Sequence, residues 1–171
     1  MGFSIQQAIT SEQLNHCYQM QIDIFHHELK LFGMEIPNNY DRFSLYMQII
    51  DANVTVGTYR IVPHTSLGLP IEETGFNLNQ FDRNKVCEMS RLVVAKGKRG
   101  KIPFSKIFSS ARKAAKQHYN ASALLVAILP RNLSLFKRYG FLQVGEPLYD
   151  PTVKSSHKQE SVVIPMQIPV G

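Results

Sequence analysis

Apolar positions along the chain switch between two periods, and each switch marks an element. Leu14, Cys17, Tyr18, Gln21, Phe25 and Leu29 follow helical spacing. Thr10 and Gln13 have capping-box spacing at the start of this run, and Gly33 stops it. Phe43 to Ile50 and Val54 to Val62 read as strands joined by the turn Asp51-Ala52-Asn53. Gly68 to Arg83 is a long connection with room for a short helix around Ile71 to Thr74, and Val86 to Ala95 is another strand. Pro103 to His118 returns to helical spacing, with Pro in the first turn, where its missing N–H costs little. Phe104, Ile107, Phe108, Ala111 and Ala115 form its apolar face, while Lys106, Arg112, Lys113 and Lys116 project elsewhere.

Ala123 to Leu129 is almost continuously apolar, as a strand buried on both faces would be. Asn132 to Tyr139 reads as a short helix ended by Gly140. Phe141 to Val144 and Ser161 to Ile168 are strands, separated by the polar loop Glu146 to Glu160. This order predicts a mixed α/β fold, with helices covering a sheet that carries parallel and antiparallel pairs. The length suits one domain spanning residues 1–171.

Charge sharpens the picture. The net charge is +6, and twelve Lys or Arg but no Asp or Glu lie between Met89 and Gly145. A solvated basic face and a docking face for something anionic both fit this distribution. A strand leading through a basic turn into a helix N-terminus is also a place to hold phosphate. No recognition-helix or aromatic-interleaved basic pattern points to nucleic acid. No run is apolar and long enough to span a bilayer, and the N-terminus MGFSIQQAITSEQ lacks the features of a signal peptide, so a cytoplasmic protein is expected. Cys17 and Cys87 are too isolated to suggest a disulfide framework or a metal site.

Several polar residues stand where apolar ones are expected. Arg60 in an apolar strand needs a partner, which Glu88, Asp41 or a substrate carboxylate would supply. Asp41 reads equally as a turn residue. Glu88 either accepts a proton or forms an ion pair with Arg60 or Arg91. In a regular strand Glu88, Ser90 and Leu92 share one face, and Met89 and Arg91 the other. Ser90 lacks a His/Asp relay. His26, His27 and His64 are bases at neutral pH or surface residues, and Glu28 is a weaker candidate base. Phe104, Phe108, Leu124, Val126, Leu133 and Phe136 line a tunnel or fill the core.

The order Ser90-Arg91-Leu92-Val93-Val94, Lys98-Arg99-Gly100-Lys101 opening a helix, then Asn132-Leu133-Ser134-Leu135-Phe136-Lys137-Arg138-Tyr139-Gly140-Phe141, resembles the GNAT N-acyltransferase fold. Phe25 and Glu28, Asp41-Arg42-Phe43, Gly57 to Pro63, Gly68 to Glu73 and Glu88 to Leu92 narrow the resemblance. Together they are similar to N-acyl amino acid synthases and acyl-homoserine-lactone (autoinducer) synthases. The resemblance implies a GNAT-like α/β fold, with a mixed, mostly antiparallel central sheet, two splayed parallel strands and flanking helices. It implies an enzyme that moves a fatty acyl group from acyl-carrier protein, or acyl-CoA, to the amine of an amino acid or similar small acceptor. Alternatives are a conventional acetyl-CoA acetyltransferase and a non-catalytic module that binds acyl carriers.

For this chain the resemblance puts Glu88, Arg60 and Arg91 in the catalytic role. Val93 and Val94 would orient the thioester, and Lys98, Arg99, Gly100 and Lys101 would hold the donor's phosphate. Phe25, Asp41, Ser90, Phe104, Phe108 and Phe136 would contact substrate. No tightly bound cofactor is implied, only carrier-protein phosphopantetheine or acyl-CoA as co-substrate. The acidic carrier would dock on Lys96, Lys98, Arg99, Lys101, Arg112, Lys113 and Lys116.

Three departures matter. The phosphate loop keeps one glycine and puts Pro103 where a bare N–H is usual, which favours a carrier protein over CoA. Phe136 replaces the tyrosine that commonly protonates the leaving thiolate, leaving Tyr139, water or unassisted departure. Gln21 and Leu31 stand where autoinducer synthases favour arginine and tryptophan, which favours a plain amino acid or other small amine.

Overall fold

The computed structural model describes residues 2–154 and 161–171. Strands β1 (Ser4–Gln7), β2 (Leu45–Asp51), β3 (Val54–Pro63), β4 (Val86–Val94), β5 (Ala123–Ile128), β6 (Leu142–Gln143), β7 (Leu148–Tyr149) and β8 (Val162–Pro169) build one sheet. The order is β1-β2-β3-β4-β5-β8-β6, with β7 also on β8. Every pair is antiparallel except β4 with β5. The mixed, mostly antiparallel sheet is therefore the predicted one. Its polar first strand was not predicted: Ser4–Gln7 pairs with Met47–Ile50 at the sheet edge, where a single half-buried face suffices.

Helix α2 (Phe104–Tyr119) covers one face of the sheet. Its Ile107, Phe108, Ala111, Ala114 and Ala115 join Tyr59, Ile61, Met89, Leu124 and Met166 in the main core. Apolar burial at about 25 cal/mol per Å² makes this cluster the chief stabilising mass. Helix α1 (Ser11–Gln21) and the segment around Leu69–Leu78 cover the opposite face. Thr10 and Gln13 do form the capping box at the start of α1. The helix then widens into a π-helical stretch over Ile22–Glu28 instead of continuing regularly toward Gly33. Helix α3 (Leu133–Arg138) sends Phe136 into the core.

Two irregularities create the space that matters. The parallel ladder ends at Glu88 opposite Leu125, although β4 runs on to Val94 and β5 to Ile128. The strands therefore splay beyond Glu88. Across the other side of β4, Ser90 faces Arg60 and Val93 faces Thr58, so Arg91 and Leu92 together oppose Tyr59. This is a β-bulge, and Arg91 sits in it with φ +57°. The regular alternation expected for β4 fails here. Arg91 turns to the side of the sheet occupied by Arg60 and Ser90.

A buried ionic cluster ties these strands together. Asp41, in the 3-10 turn Asp41–Phe43, accepts from Arg60 Nη1 at 2.8 Å and from the Tyr46 hydroxyl at 2.5 Å. Its other oxygen accepts the Asn38 amide and lies 3.6 Å from Arg91 Nη1. The side chains of Arg60, Asp41 and Arg91 are 2, 4 and 6 % exposed. Asp41 is thus both the turn residue and the partner of Arg60. Glu88 forms no ion pair within 4 Å among the described residues, which corrects the expected Glu88–arginine bridges.

Two stability predictions follow from this packing. Asp41→Asn keeps the shape but leaves two buried guanidiniums without a carboxylate. It should cost about 3–5 kcal/mol, read as a lowered urea midpoint with an unchanged slope. Gly57→Ala would set a Cβ 2.8 Å from the Val93 carbonyl oxygen and 2.9 Å from Ile49 Cδ1. Because one obstacle is backbone, the loss should be about 1–3 kcal/mol by the same measurement.

Candidate active site

The splay of β4 and β5 opens into a cavity of about 610 Å³. Its apolar stretch is walled by Leu92 and Val94 on β4, Val126 and Ile128 on β5, and Phe104 and Phe136 from the helices. Its polar stretch collects Arg60, Glu88, Ser90 and Arg91 from the strands, with Tyr40, Glu73 and Asp150 from connecting segments. One space therefore joins apolar walls to a charged chamber. Such a space suits a bipolar pair of substrates.

Glu88 stands at the fork where the parallel strands part. It is 2 % exposed. Its Oε2 accepts the Ile71 amide at 2.8 Å, and Oε1 has no partner among the described residues. The local sequence explains the contact. Pro70 opens the turn Pro70–Thr74 and has no N–H, so Ile71 is the first residue of the turn with an amide to offer. Burial pushes the Glu88 carboxyl up to about 8, while the Ile71 amide and Arg60 pull it down and Asp150 and Glu73 push it further up. A carboxyl held near neutrality can exchange a proton with an amine.

Arg60 and Arg91 meet in the wall beside it. Arg60 Nε donates to Ser90 Oγ at 2.8 Å and Nη1 to Asn38 Oδ1 at 2.9 Å, in addition to Asp41. Arg91 donates through Nη2 to the Glu35 carbonyl, while its buried Nη1 has no hydrogen-bond partner. Burial also lowers the Arg91 pKa, with the Arg60 charge adding to the shift. Two guanidiniums thus share a single carboxylate, leaving an excess of buried positive charge and one unused donor.

The candidate residues divide clearly by position. Glu88, Arg60, Arg91, Ser90, Phe25 and Val94 line the cavity, as do Arg99, Phe104 and Phe136. Asp41 lies behind the wall, fully engaged by its hydrogen bonds, and not on the cavity surface. Phe108 also lies behind it, packed against Phe136, Tyr139 and Phe141 with ring centroids 5.0–5.4 Å apart. Val93 is buried away from the cavity, and Lys98, Gly100 and Lys101 are outside its lining. Tyr139 packs at an angle against Phe108 outside the lining, too.

The basic loop is partly occupied by the protein's own carboxylates. Lys98 Nζ lies 2.6 Å from Asp51 Oδ2, and Arg99 clasps both oxygens of Glu28. That clasp holds the Glu28 pKa down. Lys96, Lys101, Lys106, Lys113 and Lys116 are exposed and form no ion pair among the described residues. The N-terminus of α2 follows this loop with no side-chain cap, so its first amides are free for an anion. The histidines take other partners: His26 Nε2 is 2.6 Å from the Met34 carbonyl, His27 is 3.5 Å from Asp23, and His64 is 3.6 Å from Glu72.

Tyr40, Glu73 and Asp150 were not singled out by the sequence. Glu73 ends the Gly68–Glu73 segment that carried part of the resemblance; Asp150 falls in the stretch Glu146–Glu160 expected to be a polar loop, where the structure instead has β7 and the 3-10 turn Pro151–Val153, and of which 155–160 lie outside the described residues. Tyr40 donates to Glu73 Oε1 at 2.9 Å, and the Thr152 amide and hydroxyl both donate to Asp150 Oδ1. Among the described residues, no His/Cys/Asp/Glu cluster could hold a metal ion, and no helix is long and apolar enough to cross a membrane.

Comparison with known proteins agrees with this geometry. The structure is similar to that of FeeM, an N-acyl amino acid synthase from uncultured soil microbes. The TM-score is 0.74 at 14% identity, covering 98% of this chain and 90% of that one. It is similar to the AHL synthase LasI, with TM-score 0.73, 15% identity and coverage of 99% and 90%. A spermidine N-acetyltransferase from Vibrio cholerae, in complex with CoA and spermine, gives TM-score 0.66 at 12% identity, covering 98% and 95%. No curated protein matches the sequence. At these identities the structures show the fold, which is the GNAT fold. The family of the N-acyl amino acid synthase FeeM matches residues 31–157, more than half of the chain. The chain belongs to that family and is an N-acyltransferase.

Proposed function

We propose that the protein transfers a fatty acyl group from an acyl-carrier protein to the amine of an amino acid. The observation that carries this reading is the pairing, in one chamber, of an uncommitted carboxyl with an excess of buried guanidinium. Glu88 offers Oε1 to an amine, while Arg60 and Arg91, with one carboxylate between them, suit the acceptor's α-carboxylate. A zwitterion satisfies both.

The acyl thioester would lie along the apolar stretch between β4 and β5, against Phe104 and Phe136. Amides of β4 near Val93 and Val94 would polarise its carbonyl. Glu88 takes the proton from the bound ammonium, and the neutral nitrogen attacks the carbonyl carbon. The new C–N bond forms as the C–S bond breaks, and the second proton of the nitrogen passes through solvent to the departing thiolate, without a protein acid, since Phe136 has no proton to give. A carrier protein is the better donor for two reasons. The loop offers a single phosphate more than a pyrophosphate, with Arg99 and Lys98 already engaged and Pro103 lacking an N–H. The exposed lysines of the loop and α2 complement an acidic partner.

The reading is tested by incubating the protein with long-chain acyl-carrier protein and a panel of amino acids, and weighing the products by mass spectrometry. N-acyl amino acid is expected. Acetyl transfer from acetyl-CoA alone, with the carrier ignored, would instead favour a conventional acetyltransferase. Glu88→Gln should lower turnover about 10²–10⁴-fold with little change in donor KM. The wild-type kcat/KM should rise through about pH 8 as Glu88 of the free enzyme ionises, and this limb should vanish in the variant.

Glu88 also makes stability depend on pH. Its folded pKa lies above the value of 4.5 for an unperturbed carboxyl. The neutral form is therefore favoured on folding, and that contribution is full below 4.5 and lost as pH rises through about 8. Thermal melts from pH 5 to 9 should show the wild type losing more stability than Glu88→Gln. Parallel curves would remove Glu88 as the titrating group.

A further inference from the structure

Beyond the amine and carboxylate contacts, the chamber carries carboxylates that the proposed transfer does not consume. Glu73 and Asp150 both line it beyond Glu88, one exposed and one half-buried. Each is held by one oxygen only. Tyr40 fixes Glu73 through Oε1, and Thr152 fixes Asp150 through Oδ1, so Glu73 Oε2 and Asp150 Oδ2 have no partner among the described residues. No lysine, arginine or histidine of the described residues lies within 4 Å of either. Deeper in the same chamber Glu88, almost wholly buried, presents an unpartnered Oε1. All three residues line one cavity and come from three segments of the chain.

The turn carries Glu73 next to the contact that holds Glu88. The Ile71 amide holds Glu88, and Glu73 lies two residues further along the same 3-10 turn. Glu73 and Asp150 line the same cavity as Glu88, and their charges act on its carboxyl. A cation beside Glu73 and Asp150 would therefore be a second positive group of a molecule whose reacting amine is at Glu88. The buried Tyr40 ring, with its hydroxyl on Glu73, adds an aromatic wall to that space.

We propose that Glu73 and Asp150 form a subsite for a second cationic group of the acceptor, making the preferred acceptor a dibasic amino acid such as lysine or ornithine. This selection rests on the acyl-transfer reading above, because it names the acceptor of that same site. Arg60 and Arg91 take the carboxylate, Glu88 the reacting amine, and Glu73 with Asp150 the side-chain ammonium. A neutral side chain would leave both carboxylates unpaired.

Lysine against norleucine tests the charge alone, because the two differ at the chain end, one carrying an ammonium. With acyl-carrier protein as donor, kcat/KM for lysine should exceed that for norleucine by at least about ten-fold. Glu73→Gln and Asp150→Asn should each reduce that ratio, and the double variant should bring it near parity, chiefly by raising KM for lysine. Parity in the wild type, or a ratio that survives the double variant, overturns the subsite. Binding of both amino acids, followed by calorimetry, separates this proposal from the transfer reading. Binding that favours lysine and depends on Glu73 and Asp150, without any acylated product, keeps the subsite and removes the reaction. Transfer to neutral amino acids with no lysine preference in binding does the reverse.

Discussion

The structure depends on one carboxylate holding two buried guanidiniums. Asp41 reaches Arg60 on β3, Arg91 on β4 and Tyr46 on β2 from a turn that precedes β2. Three strands and a connecting segment are thereby fixed to a common point. Burying such a cluster is expensive, and well-packed apolar residues would often be as stable. What the cluster supplies instead is position, together with a charge the protein does not neutralise itself. The wall of the cavity consequently carries an unmet demand for an anion, set in rigid surroundings.

The bulge at Arg91 makes this arrangement possible. A regular strand would carry Arg91 to the α2 side with Met89, away from Asp41. The left-handed conformation at φ +57° costs roughly 1–2 kcal/mol for a non-glycine residue, which the ionic contact helps to offset. It also disrupts β4 just beyond the point where the ladder to β5 ends. Strand separation beyond Glu88 and the placement of Arg91 thus lie within a few residues of each other on β4. The strain sits beside the chemistry.

Elements with strong periodicity were legible in the sequence: the α2 apolar face, the β5 run, the turn at Ala52 and the Gly140 stop. The polar edge strand β1 was not, because pairing with β2 stabilises it more than its own residues do. The π-helical turn and the bulge were hidden too, since single backbone angles leave little trace in composition. Arg60 announced a need for a partner, and the sequence kept three candidates; only the fold selects Asp41. The Ile71 amide could not be anticipated as the partner of Glu88, being backbone. Tyr40, Glu73 and Asp150 are far apart in sequence, so their meeting is a property of topology.

The proposed chemistry turns on Glu88 being neutral when the chamber is empty. A buried carboxyl with a pKa of about 8 is largely protonated at pH 7 and cannot act as a base toward water. An ammonium entering the chamber changes this, because a nearby positive charge favours the carboxylate. The acceptor would thus create the base that deprotonates it. A thioester waiting alone in the channel would meet a neutral acid, and hydrolysis would gain no general base. The same burial that makes Glu88 costly at high pH would then direct the acyl group to an amine and away from solvent. Discrimination between amine and water would rest on electrostatic coupling as well as on the shape of the cavity.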